Sequence, residues 1–151
     1  RRIKPIPNNY QLMVAFGEFL TTSALEHSNV FEIFPKLKVV VSHFGGGLNR
    51  FLLNDENHTY GNKDLKDNLF FDTCAYEENF IRACLKQKGV HRCLFGTEAP
   101  GAGSWAWNNV TDRPQDDLLP VFERIEFLSD DDKIDIYNRN VLKVFSKLKI
   151  D

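Results

Sequence analysis

Cysteine is scarce and unpatterned in this chain. The three residues, Cys74, Cys84 and Cys93, are odd in number and show no Cys-x-x-Cys spacing. Each sits in an apolar or strand-like context, so they read as buried free thiols of a reducing, cytoplasmic compartment. No apolar run approaches the roughly 18 residues of a membrane span, and no signal peptide is visible. Net charge is also slight, at −2, which argues against the basic footprint of a nucleic-acid partner. Neither GxGxxG nor GxxxxGK[ST] occurs, so Gly45-Gly46-Gly47 is no phosphate cradle and a nucleotide-binding or flavodoxin-like sheet is a weak reading. His-x-His is absent as well. Methionine appears once, at Met13, and the chain opens on Arg1-Arg2-Ile3; an excised, processed or incomplete N-terminus is expected.

What is present suits one ordinary domain with a bulky core: 151 residues, 42% hydrophobic, 13 of them phenylalanine. The organising stretch is Val39-Val40-Val41-Ser42-His43-Phe44-Gly45-Gly46-Gly47. Three β-branched residues in a row read as a strand buried on both faces, as in a parallel sheet. A titratable imidazole follows at the strand's end, then glycines that let the backbone turn sharply.

Helical spacing runs from Gln11 to Phe34, with Gly17 or Thr21-Thr22-Ser23 as a break and Pro35 as the stop. His27 falls on the apolar stripe and reads as a core histidine. Leu37–His43 is the first strand, Leu48–Leu53 one or two helical turns, and 54–68 a loop carrying a solvated His58. Leu69–Cys74 is the second strand, and Glu77–Lys88 a helix closed by Gly89. Cys93–Phe95 is the third, with His91 at its entrance on the side away from chemistry. Ser104–Arg113 reads as a loop in which Trp105 and Trp107 point to opposite sides if extended. Gln115–Leu128 is helical despite Pro120, and Ser129 caps a last helix opened by three aspartates.

Strands alternating with helices mean right-handed βα units and a parallel sheet. Three strands are too few to close a barrel, which needs roughly 250 residues. Residues 1–151 therefore read as one partial domain whose N-terminal strands are absent, with self-association expected from open strand edges.

Two strand ends supply acid–base groups. His43 precedes the glycine run, and Glu98 precedes Pro100-Gly101. A carboxylate and an imidazole meeting at the mouth of one parallel sheet suit proton transfer or a divalent metal. Phe44 and Gly45 are the substrate-binding candidates beside them. Asp72, inside the second strand, reads equally as a site residue or a buried structural carboxylate.

The segments 34–46, 68–73 and 94–100, with Leu128-Ser129…Asn138…Asn140 after them, resemble the last strands and closing helix of the amidohydrolase-2 family. That group includes decarboxylases and hydratases of small carboxylic acids. The resemblance implies a distorted (β/α)8 barrel, with this chain as its C-terminal portion, and a mononuclear metal, zinc most often. It makes His43 a proton donor or acceptor, and puts Glu98 at a carboxylate position that serves as general base or metal ligand. The expected activity is metal-dependent hydrolysis of a small carboxylated substrate. A decarboxylase or hydratase is the alternative, as is an inactive half-barrel interaction module. With no His-x-His to complete a zinc site, the chain alone is expected to be inactive or weakly metal-binding.

Overall fold

A computed structural model describes residues 8–48 and 67–148. The turns expected at Leu48–Leu53 and the loop with His58 lie outside the described residues, apart from their ends.

Helix α1 runs from Asn8 to His27 and α2 from Val30 to Ile33. The break falls at Ser28-Asn29, and not at Gly17 or the hydroxyl run. Thr21 donates its hydroxyl back to the Gly17 carbonyl at 2.9 Å, which satisfies it inside the helix. His27 corrects the core reading: it is exposed, its Nδ1 2.8 Å from the Ser23 carbonyl at the helix end.

Strands β1 (Val39–Val41), β2 (Leu69–Asp72) and β3 (Cys93–Leu94) form one parallel sheet in that order. Val41 pairs with Phe71, and Phe71 with Cys93. Leu69, Phe70 and Phe71 are buried on both faces, as a central parallel strand requires. β1 differs from the reading: Val41 is buried but Val40 is exposed, because among the described residues β1 has a partner on one side only. It also ends earlier than expected, the backbone leaving the ladder at Ser42.

Helix α3 (Glu78–Lys88) matches its sequence signals closely. Glu77 caps it by accepting from the backbone N–H groups of Asn79 and Phe80, and Gly89 closes it at φ 86°. Its Ile81, Cys84 and Leu85 join Phe44, Cys93, Leu118, Phe122 and Ile136 in the main core. Burial pushes the Cys84 thiol up to about 12, and Cys93 higher still, so both stay protonated.

Residues 104–128 depart most from expectation. Trp107–Asn108 (β4) and Arg113–Pro114 (β5) form a small antiparallel hairpin where the sequence predicts a loop. Both tryptophans, Trp105 and Trp107, are exposed. The long helix shrinks to α4, Leu119–Glu123, because Pro114 occupies a strand and Pro120 starts the helix. Beyond Ser129, whose side chain and Asp132 form a capping box, come α5 (Asp130–Ile134), a π segment (Asp135–Arg139) and α6 (Asn140–Val144). The π segment arises because the Asn140 N–H reaches the Asp135 carbonyl. Ile136's carbonyl is then free to accept the Phe95 N–H at 3.0 Å, tying the closing helix to the exit of β3.

Candidate active site

The exit of β1 is a left-handed turn. His43, Phe44, Gly45 and Gly46 have φ of 51°, 53°, 74° and 78°. An L-residue there costs roughly 1–2 kcal/mol, which the two glycines escape but His43 and Phe44 do not. Glu98, after β3, is likewise at φ 59°. Both acid–base candidates therefore sit in sparsely populated backbone conformations, a trait that gathers at functional sites.

The turn admits helix α1. A Cβ on Gly46 would stand 2.1 Å from the Ala15 carbonyl oxygen and 2.6 Å from the Phe19 nitrogen, so only glycine lets the two backbones meet. Thr22, one turn further along, donates its hydroxyl to the Gly45 carbonyl at 3.2 Å. Ala15, Glu18, Phe19 and Thr22 thus line the face of α1 that meets the turn.

His43 is gripped on three sides. Its backbone N–H donates to Asp72 Oδ1 at 2.7 Å, and the Cys74 N–H donates to the same oxygen at 3.1 Å. Asp72 thereby ties the exits of two strands together, the structural half of its two readings. His43 Nδ1 lies 2.6 Å from Glu18 Oε1, and Nε2 lies 3.5 Å from Glu98 Oε1. The other Glu98 oxygen accepts the Tyr76 hydroxyl, which itself accepts the Gly103 N–H at 3.1 Å. Burial pushes the His43 imidazole down, but the Glu18 hydrogen bond and the charges of Glu18, Asp72 and Glu98 outweigh it and raise it overall. Burial and the bond to Glu98 push the Tyr76 phenol up. Burial and nearby Asp72 hold the Cys74 thiol up at about 12, which removes it as a nucleophile.

Of the residues read from sequence, His43 and Glu98 come together. Phe44 does not join them: its ring is fully buried in the main core, edge-on to Phe80 at 6.4 Å. A substrate would meet only the backbone there, and the Gly45 N–H already donates to the Ser42 carbonyl. His91 sits in the turn at the entrance of β3, away from Glu98, as its position in sequence implied. Burial, then Arg92 and Lys143, push its imidazole down. The sequence alone singles out neither Glu18 nor Tyr76. The only sequence signal for Glu18 was its place four residues before Thr22, on a small, polar stripe of an otherwise apolar helix.

The metal implied by the resemblance finds no ligand set here. Among the described residues no group of three or more His, Cys, Asp or Glu could hold one. His43 and Glu98 offer one imidazole and one carboxylate, each already engaged by Glu18 or Tyr76, and two donors do not make a tight zinc site. Nor is any helix among the described residues long and apolar enough to cross a membrane.

Known proteins share this sequence pattern and fold. A sequence model of the Amidohydrolase family, Amidohydro_2, matches residues 12–147. The 2-keto-4-carboxy-3-hexenedioate hydratase of a Sphingobium species is 29% identical over 133 residues, which are 82% of this chain and 38% of that protein. A crystal structure of 4-oxalomesaconate hydratase from Rhodopseudomonas palustris superposes with a TM-score of 0.75 at 24% identity, covering 91% of this chain and 44% of that one. A 2,6-dihydroxybenzoate decarboxylase, complexed with 2,6-dihydroxybenzoate, has a TM-score of 0.59 at 16% identity, covering 95% and 49%. The chain spans less than half the length of each of these proteins.

Proposed function

Because the chain belongs to the amidohydrolase family, we propose that it carries the proton-transfer pair of a lyase, of the hydratase type, acting on a small carboxylated substrate. This replaces the hydrolase expectation, since the relatives are named as hydratases and a decarboxylase. The three βα units belong, in this reading, to a larger (β/α)8 barrel, and the activity to the whole protein.

The observation that carries the proposal is the 3.5 Å approach of His43 Nε2 to Glu98 Oε1, across the exits of β1 and β3. Strand exits of a parallel sheet are where such folds place chemistry. Hydration of a double bond needs a base to take a proton from water and an acid to deliver one to carbon. Glu98, half exposed, is the base: as the water oxygen bonds to one carbon, its proton passes to the carboxylate. His43, raised above its ordinary value, delivers in its protonated form a proton from Nε2 to the neighbouring carbon. The proton now on Glu98 then returns to Nε2, which resets the pair.

The test is hydration of 4-oxalomesaconate by the intact protein, followed by loss of the conjugated chromophore. His43→Gln and Glu98→Gln are each expected to lower kcat on the order of a hundredfold or more while the protein stays folded. Wild-type turnover in either variant, or no water addition by the wild type, would sink the reading.

A further inference from the structure

We propose that Glu18 is a positioning residue: from helix α1 it fixes the tautomer and ring orientation of His43, so that Nε2 is the nitrogen presented to Glu98. The proposal rests on the reading of His43 and Glu98 as the acid–base pair, and deepens it.

Three observations converge. Glu18 Oε1 is 2.6 Å from His43 Nδ1, well within hydrogen-bond reach. Its second oxygen, Oε2, is buried with no hydrogen-bond partner among the described residues, so the imidazole is the group that satisfies this carboxylate. The contact is also built by the fold and not by a flexible side chain alone. Gly46 admits the α1 backbone, Thr22 fastens that helix to the Gly45 carbonyl, and Asp72 holds the His43 N–H.

The chemical consequence follows from the two ring nitrogens. With Nδ1–H donating to Glu18, neutral His43 keeps a lone pair on Nε2 and can take the proton back from Glu98. The opposite tautomer would place a hydrogen on Nε2 and block that return. Glu18, Asp72 and Glu98 are the carboxylates facing this ring, from α1, β2 and the exit of β3; only Glu18 meets Nδ1. An orienting carboxylate behind a working histidine is worth roughly ten- to a hundredfold in comparable second-layer contacts.

The experiment is a long-range ¹H–¹⁵N correlation of ¹⁵N-histidine-labelled intact protein, at a pH where His43 is neutral, with its signals assigned by their loss in His43→Gln. The wild type is expected to show the Nδ1–H form. Glu18→Gln keeps it, because the amide oxygen still accepts, and rescues most of kcat. Glu18→Leu loses the preference, with kcat falling on the order of ten- to a hundredfold and KM little changed. An Nε2–H wild type overturns the proposal, as does an unaltered tautomer and kcat in Glu18→Leu. If Glu18→Leu fails to fold, the wild-type and Glu18→Gln spectra still decide, since an Nε2–H signal in either refutes it. Wild-type turnover in either His43→Gln or Glu98→Gln would defeat the functional reading instead, and would leave the tautomer result standing.

Discussion

Glu18 Oε1 and His43 Nδ1, 25 residues apart in sequence, meet at 2.6 Å because the helix carrying one packs directly on the turn carrying the other. Gly46 makes that packing sterically feasible. Gly46→Ala would drive a methyl into the Ala15 carbonyl at 2.1 Å, in a backbone conformation at φ +78° that alanine also resists. A loss of roughly 2–3 kcal/mol is expected in urea denaturation, from overpacking and left-handed strain together. The His43–Glu18 contact should go with it. Unchanged stability would mean that α1 is not packed as described.

The raised His43 titration gives stability a definite pH dependence. Its folded value lies above its ordinary 6.5, so the native state holds this proton more tightly than the unfolded chain. The resulting stabilisation is fully present below the unfolded value and is lost as pH rises through the folded one. Urea midpoints measured from about pH 5 to about 9 should show this decline, and Glu18→Gln should flatten it. An identical profile in both proteins would count against the Glu18 contact.

Asn140 ties the closing helix to the third strand. Fully buried, it donates to the carbonyls of Val90 and Cys93, both at 2.8 Å, and accepts from Lys143 at 2.7 Å. Asn140→Ala takes a donor from each of these carbonyls, Val90 keeping the Cys93 N–H, at an expected cost of about 1–3 kcal/mol in thermal or urea unfolding. A loss below about 0.5 kcal/mol would show that water replaces the amide.

Lys88 is buried at 1% exposure, its ammonium 4.8 Å from the centre of the Phe71 ring. Burial pushes it down and Glu26 props it up, while burial pushes Glu26 up and Lys88 draws it back. Lys88→Met removes the largest of the positive charges that offset the burial of Glu26, leaving His27 and Arg92, and roughly 1–3 kcal/mol should be lost. Adding Glu26→Gln should restore most of it, since removing both partners of a buried pair is often near neutral. Strict additivity of the two losses would rule out the coupling.

Elements defined by local chemistry were readable. Glu77 and Gly89 bracket α3 as their types require, and Leu69-Phe70-Phe71 announces a central strand. His43 and Glu98 are singled out by their strand ends and glycine-rich exits, and the structure brings them within 3.5 Å of each other. The rest depends on contacts far along the chain. Histidine is enriched among non-glycine residues in the left-handed region, but nothing in the bulky Phe44 signals that the turn begins two residues before the first glycine. Glu18 looks like any helical carboxylate until α1 is placed against β1. The π segment is invisible to a 3.6-residue period, because Phe95 of a different element draws the Ile136 carbonyl out of the helix.

Helix α1 presents Val14, Phe16 and Leu20 outward, uncovered among the described residues, and meets the His43 turn through a narrow inner stripe. Segments with few buried apolar contacts open locally at a fraction of the global unfolding free energy. Each such opening would strip His43 of its partner and let the ring rotate. Amide exchange along α1 and the lifetime of the ordered imidazole should then report one and the same opening equilibrium, with the helix acting as the latch of the site.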